Sequence, residues 1–222
     1  MALKLDIEKV YDRVEWNFLL EALKQLGFHS RWIHWIRECI STVPYSIIIN
    51  DEVTGFFSPS RGIRQVDPLS PYLFLICMEV LTRELHKAQN NKNCGIGFKI
   101  SPRATKIPCL LFADDSLLFC RSNLKACQRL NRLLVNFCRN SGQLINFHKS
   151  SVTFSKNATA HDKQVVASIF NITHQDSLGK QLGCPVFKGR PKLETFSELV
   201  NKTASKLQSW TARNISKRAV WP

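Results

Sequence analysis

The sequence predicts an α+β fold on three observations. Short apolar strands and amphipathic helices are interleaved along the chain. No βαβ fingerprint joins them. Two of the apolar runs carry acids at an end, Asp6 after Ala2–Leu5 and Asp114-Asp115 between CLLFA and SLLFC.

The elements follow in order. Leu3–Asp6 alternates apolar and charged residues at period 2, as a strand does. Trp16, Leu19, Leu20, Leu23 and Leu26 recur at helical spacing and stop at Gly27. A second helix is expected over Arg31–Ser41. Tyr45–Asn50 and Val53–Phe57 read as a β-hairpin turning near Asp51-Glu52. Pro59–Pro71, with three prolines and a glycine, reads as a loop. Leu73, Ile76, Val80, Leu81 and Leu85 then give an amphipathic helix over Tyr72–Ala88.

Asn90–Pro108 is polar and turn-rich. Cys109–Cys120 (CLLFADDSLLFC) reads as a hairpin with carboxylates at its tip. Leu130, Leu133, Leu134 and Phe137 predict a helix over Leu124–Asn140, stopped at Ser141-Gly142. A short strand is expected over Ser151–Phe154 and a helix near Ala160–Phe170. Gly183–Pro191 reads as a loop. A long final helix near Leu193–Ala212 carries Phe196, Leu199, Val200, Thr203, Leu207 and Trp210 on one face.

Composition narrows the function. The 222 residues are 44% hydrophobic and 22% charged, which is globular usage and excludes a disordered chain. A chain of this length buries about 70% of its unfolded surface and needs no covalent staples. Lys and Arg number 31 against 17 Asp and Glu, a formal net charge of +14. That excess points to a polyanionic partner, and without an apolar run of membrane-spanning length nucleic acid leads. Lys4, Asp6, Glu8, Lys9 and Asp12 preclude an apolar signal core, so an intracellular location, nuclear or cytoplasmic and not secreted, is expected. The eight cysteines form no C-x-x-C pair and no zinc-binding array. Several lie in apolar company, where a free thiol behaves as a small hydrophobe.

The feature richest in chemistry is Asp114-Asp115 between two apolar runs. Adjacent acids there face mutual repulsion and desolvation unless water or a cation compensates, although aspartates also favour exposed turns for local reasons. Asp6, at the end of another apolar strand, shifts the balance toward a site. Hard divalent cations take oxygen ligands from one or two carboxylates together with substrate phosphates. If the two strands are neighbours in one sheet, their acids converge. Sites of that kind clamp the attacking and leaving oxygens of phosphoryl transfer.

Four stretches, MALKLDIEKVYDRVEW, RGIRQVDPLSPYLFL, LLFADDSLLFC and GQLINFHKSSVTFS, occur in the order and rough spacing of the palm motifs of reverse transcriptases. The chain most resembles the enzymes of non-LTR (LINE-type) retrotransposons, the plant elements in particular. LGKQLGCPVFKGRPKLETFSELVNKTASKLQSW resembles the segment that leads from the palm into the thumb. The resemblance implies a polymerase palm over residues 1–155, an antiparallel sheet backed by helices, and a connecting segment with a partial helical thumb over 156–222.

It also implies roles for single residues. Asp6 matches the metal ligand of the first motif, and Asp114 the first aspartate of the FADD box, which binds the same metals. Asp115 matches its supporting neighbour. Tyr11 stands where the family places an aromatic against the sugar of the incoming nucleotide; its alternative is an ordinary core aromatic. Arg64 and Gln65 match the RQ beside nucleotide and template. Lys149 matches a lysine near the triphosphate, a candidate proton donor to pyrophosphate, and this role rests on the resemblance alone. The implied activity is RNA-directed DNA polymerisation with two Mg²⁺ ions, an RNA template, a DNA primer and dNTPs. No membrane partner is implied, and protein partners are not indicated.

Three departures oppose full activity. Val66 stands where the family has glycine, whose backbone freedom a β-branched residue lacks. Gln181 replaces an aromatic or histidine before LG, and ISKRAVWP departs from the family's serine-alanine-glycine-arginine pattern. The fingers segments before the palm, the element's endonuclease, and any zinc knuckle or RNase H region are expected to be missing, as in a fragment of a decayed element. The alternative function is therefore a catalytically impaired nucleic-acid-binding remnant.

Overall fold

The computed structural model describes residues 1–91, 94–112, 115–155, 157–175, 180–181, 184–185 and 196–212. The chain divides into two compact units, Met1–His174 and Gln175–Pro222.

The first unit is organised by β1 (Ala2–Glu8). Its alternation sends Leu3, Leu5 and Ile7 into the core and leaves Lys4, Asp6 and Glu8 on the other face. Between β1 and the hairpin come α1 (Trp16–Gln25), α2 (Ser30–Ser41), the strands β2 (Tyr45–Ile49) and β3 (Glu52–Phe57), and α3 (Ser70–Gln89). β4 (Cys109–Phe112) and β5 (Asp115–Phe119) form the acid-bearing hairpin. They are followed by α4 (Leu124–Ser141), β6 (Leu144–Ile145), β7 (Ser151–Thr153), α5 (Ala160–Phe170) and β8 (Thr173–His174).

The main sheet runs β4-β5-β1-β7-β8, with β6 also paired to β1. The expected pairing of the first strand with the Cys109–Cys120 hairpin is present: β1 and β5 are antiparallel neighbours. The sheet is antiparallel except at one edge, where β8 joins β7 in parallel. One buried cluster joins Leu3, Leu5, Leu118 and Val152 of the sheet to Leu19 and Leu23 of α1, Leu73, Cys77 and Leu81 of α3, and Leu130 and Leu134 of α4. The helices thus cover one face. The other carries Lys4, Asp6, Asp115, Leu117 and Phe119, with the half-exposed Leu110 and Phe112 of the edge strand.

Several boundaries move for local reasons. The β2–β3 turn is Asn50-Asp51, one residue earlier than expected. Both residues have positive φ, +50° and +66°, and Ile49 pairs with Glu52, so this is a two-residue primed turn. α3 starts at Ser70 and takes in Pro71, because a helix's first turn needs no N–H from proline. α4 is capped by Asn123, whose side chain accepts from the Ala126 N–H, and closed by Gly142 at φ +78°. α5 opens on a Thr159–Asp162 capping box.

In the second unit, β9 (Lys180–Gln181) pairs with β10 (Cys184–Pro185), which places a strand inside the stretch expected to be loop. α6 (Ser197–Ala212) forms within the expected final helix; residues 193–195 lie outside those described. Among the described side chains, the seven cysteines are free thiols, and burial pushes the Cys77 thiol up to about 12, as befits a core hydrophobe.

The assignment of faces has a measurable consequence. Leu118→Ala, at a fully buried position, should cost about 3 kcal/mol of unfolding free energy in urea denaturation. Leu110→Ala, 54% exposed on the opposite face, should cost under about 1 kcal/mol. Equal losses would mean that the helices cover the wrong face.

Candidate active site

The site starts from one pairing. Asp6 on β1 is the register partner of Asp115 on β5. Directly opposed residues in an antiparallel pair point to the same face, with Cβ atoms about 5 Å apart. The two carboxyl groups are therefore neighbours on the face that the helices leave open. Lys4, two residues before Asp6 on that face, reaches diagonally across the strands, with Nζ 3.5 Å from Asp115 Oδ1. Sequence reasoning did not single out Lys4, although its period-2 relation to Asp6 was legible. Asp114 lies outside the described residues, between the end of β4 at Phe112 and the start of β5.

On its other edge β1 meets two short strands rather than one. β6 pairs with Ile7 and Glu8, and β7 with Ala2, Leu3 and Lys4. The ladder opens between them, at Asp6. There the Asn146 N–H donates to the Asp6 carbonyl at 2.9 Å, and the Asp6 N–H donates to Ser150 Oγ at 3.2 Å. Residues 146–150 arch away from the sheet between these two contacts, and the arch carries Lys149, which is exposed. The Lys149 N–H donates to the side chain of Asn146, which folds the arch on itself.

After β1 the chain enters the Val10–Glu15 loop, which holds Tyr11. Two turns clamp this loop. From one side, the Gly62 N–H donates to the Val14 carbonyl and the Ile63 N–H to the Tyr11 carbonyl, at 2.8 and 2.9 Å. Trp16 Nε1 donates to the Gly62 carbonyl at 2.6 Å. From the other side, Arg13 Nε donates to the Gly142 carbonyl and the Glu15 N–H to the Ser141 carbonyl. Gln143, 1% exposed, donates from Nε2 to the Val10 carbonyl at 3.0 Å. Both glycines are required: a Cβ on Gly62 would stand 2.8 Å from the Asp12 carbonyl oxygen, and one on Gly142 would collide with the Arg13 carbonyl oxygen. The Tyr11 ring is half-buried and tilts against Phe74 at 5.6 Å, so its inner side is packed as a core aromatic would be.

Arg64 and Gln65 follow directly on the Gly62-Ile63 turn. Gln65 Nε2 donates to Asp12 Oδ1 at 3.2 Å, and the Arg64 guanidinium pairs with Asp67 at 2.9 Å. An open cleft of about 410 Å³ is lined by Asp12, Arg64 and Gln65 on one side and by Tyr45 and Phe57 of the β2–β3 hairpin on another. Val66 sits at φ +66° and is 101% exposed. The backbone thus keeps a conformation that suits glycine while carrying a branched side chain with no packing to compensate.

The structure therefore brings Asp6 and Asp115 together, sets Lys149 on the arch at Asp6, and joins Gln65 to the residue after Tyr11. Among the described residues, no hydrogen bond or ion pair joins Tyr11, Arg64 and Lys149 to one another. Among the described residues no group of three His, Cys, Asp or Glu side chains comes together. The oxygen donors of Asp6 and Asp115, on adjacent strands, are nevertheless the chemistry that a hard divalent cation takes.

A sheet with paired acids on its open face and helices behind it is the architecture of a nucleotidyl-transferring palm. The chain belongs to the reverse transcriptase (RNA-dependent DNA polymerase) family, whose model matches residues 1–186. Over 219 residues (98% of the chain and 34% of the relative) it is 28% identical to the retrovirus-related Pol polyprotein from type-1 retrotransposable element R2 of Popillia japonica. Over 69 residues (31% of the chain and 56% of the relative) it is 48% identical to an uncharacterized mitochondrial protein of Arabidopsis thaliana. These relatives agree with the non-LTR resemblance read from the motifs. The chain spans about a third of the first of these curated relatives and just over half of the second. Among solved structures, telomerase from Candida tropicalis superimposes with a TM-score of 0.53 at 16% identity, covering 72% of this chain and 31% of that one. Telomerase from Candida albicans gives 0.53 at 14% identity, covering 71% and 27%. At these identities the likeness concerns the fold. Among the described residues, no helix is long and apolar enough to cross a membrane.

Two substitutions test the backbone argument. Val66→Gly should raise unfolding free energy by about 1 kcal/mol through relief of left-handed strain, read as a higher urea midpoint at unchanged slope. Gly142→Ala should lower it by at least about 2 kcal/mol, since the strain and the collision with Arg13 act together. A neutral Gly142→Ala would show that the Tyr11 loop is not clamped as described.

Proposed function

We propose that the chain is the polymerase domain of a non-LTR retrotransposon reverse transcriptase, extending a DNA primer on an RNA template with dNTPs. The observation that carries this reading is the register of Asp6 against Asp115 on the open face of the sheet. Asp6 and Asp114 would hold two Mg²⁺ ions, with Asp115 in support. When bound, such ions neutralise charge on the triphosphate and favour ionisation of the primer 3′-hydroxyl.

The other residues position the reactants. The reaction is in-line attack of the 3′-oxygen on the α-phosphorus, with pyrophosphate leaving, so catalysis is chiefly placement and charge stabilisation. Lys4 holds one Asp115 oxygen by ion pairing and lessens the repulsion between the opposed acids. Tyr11, on its clamped loop, would set its ring against the sugar and exclude a 2′-hydroxyl sterically. Arg64 and Gln65 would line the nucleotide and template side. Lys149 would stand by the triphosphate and donate a proton to the departing pyrophosphate. Residues 1–155 form the palm in this reading, and 156–222 the connection and partial thumb.

A second reading, a nucleic-acid-binding remnant with impaired catalysis, is favoured by Val66. A fully exposed β-branched side chain projects from the loop next to Arg64 and Gln65, where the family's glycine permits close backbone approach.

Primer extension by the purified chain on an RNA template tests both. Weak extension, abolished by Asp6→Ala and by Asp114→Asn, is the expected result. Asp114→Asn should leave RNA affinity within about twofold, because the carboxylate does not attract the backbone. Robust extension sensitive to Asp6→Ala would overturn the impaired reading and keep the site. Extension indifferent to Asp6→Ala would overturn the site itself.

A further inference from the structure

The helix α2 carries two apolar stripes, and the fold uses one of them. Ile33, Ile36 and Ile40 pack against the core cluster. The other stripe, Trp32, Trp35 and Cys39 with Phe28 just ahead of the helix, is exposed. Trp32 and Trp35 meet edge to face at 6.0 Å, and the Arg31 guanidinium lies over the Trp35 ring at 5.0 Å. Beside the stripe runs an open apolar groove of about 410 Å³, with the buried Ile36 and Leu73 at its floor and Phe28, Trp32, Tyr72 and Leu75 on its rim. The groove belongs to the helix layer, whereas Asp6 and Asp115 stand on the other face of the sheet.

The patch is large enough to matter. Phe28, Trp32, Trp35, Tyr72 and Leu75 are between 41% and 67% exposed. At about 200 Å² for a whole aromatic side chain, they leave on the order of 500 Å² of apolar surface in one place. A patch of that size on a single chain is often a docking surface. Two of them face to face bury about 1,000 Å², the size at which a specific interface begins.

The pattern of the stripe says what covers it. Phe28, Trp32, Trp35 and Cys39 follow at intervals of four, three and four, the a and d alternation of paired helices. Arg31 and Glu38 lie seven residues apart on one flank, both at the g position. Among the described residues, none forms an ion pair with the Glu38 carboxylate. In an antiparallel pair about a two-fold axis g faces g, so Arg31 of each copy meets Glu38 of the other. The same axis sets Trp32 against Trp35 and Phe28 against Cys39 of the other copy. A parallel pair would turn g toward e, where Ile36 is buried in the chain's own core.

We propose that this face of α2, with the groove beside it, is a homodimer interface, in which α2 of a second copy of this chain packs antiparallel on it. The inference is independent of the polymerase reading. A net charge of +14 opposes the meeting of two copies, but physiological salt screens that repulsion beyond about 8 Å, whereas the Arg31–Glu38 pairs act at contact.

The test is sedimentation velocity of the full chain, treated with nuclease, at about 0.15 M salt and over a concentration series reaching about 100 μM. A monomer–dimer equilibrium is expected. Trp35→Ser should raise the dimer Kd at least about thirtyfold, as loss of a central aromatic anchor does. Arg31→Glu and Glu38→Arg each bring like charges into contact, and each should weaken self-association about tenfold. The double variant Arg31→Glu/Glu38→Arg should associate within about threefold of the parent. An equimolar mixture of the two single variants should do the same, because only unlike copies then present opposite charges. Thermal melting of the charge variants, which alter exposed side chains alone, should match the parent, so they carry the test even where Trp35→Ser fails to fold. A monomer at every concentration overturns the proposal. So does self-association that a folded Trp35→Ser leaves unchanged, or charge variants that lose nothing or do not recover when mixed. Association that continues past the dimer breaks the two-fold axis, and a dimer that nuclease dissolves is bridged by nucleic acid; either overturns it as well.

Discussion

Two carboxylates held opposite each other across neighbouring strands are a standing electrostatic conflict, and much of the first unit is arranged around it. The β1–β5 register sets Asp6 against Asp115, and the same register puts Leu3 against Leu118 on the far face. Because side chains alternate strictly, a one-residue slip of β1 would bury Asp6 and expose Leu3 and Leu5. The core thus fixes where the acids stand, at the cost of like charges facing one another. Lys4 offsets part of that cost from the same face. A bound cation would offset more, and this is why the pairing reads as a site rather than as ordinary sheet.

The second constraint is backbone crowding around the loop that follows β1. Val10–Glu15 is gripped on one side by Gly62-Ile63 and on the other by Ser141–Gln143, segments separated by about eighty residues of sequence. Each grip depends on a glycine with positive φ and no room for a Cβ. The Tyr11 ring is located by carbonyl and amide bonds of its own loop together with packing against the core, where it meets the Phe74 ring. A loop held in this way is pre-organised, and less ordering entropy is lost when a ligand arrives.

Val66 breaks the pattern. The two left-handed positions that close the clamp, Gly62 and Gly142, are glycines. Here the conformation persists with a β-branched residue, fully exposed, so nothing in the packing repays the strain. Local sequence and local backbone disagree at this position, and such disagreement in a natural fold marks either a functional demand or a lost one.

By itself the sequence determined the α+β class, most of the elements, the acids at the ends of apolar strands and the excess of positive charge. Each rests on local periodicity or on net charge, which need no knowledge of neighbours. The turn at Asn50-Asp51 and the start of α3 were one or two residues off, because turn chemistry and first-turn proline tolerance are weaker signals than hydrophobic period. Tertiary structure alone decided the ion pair of Lys4 with Asp115, the opening of the ladder at Asp6 under the Lys149 arch and the two-sided clamp on Tyr11. These are contacts between segments far apart in the chain, and their residue types, a serine, an asparagine, a glutamine and a lysine, carry no pattern until the sheet brings them together.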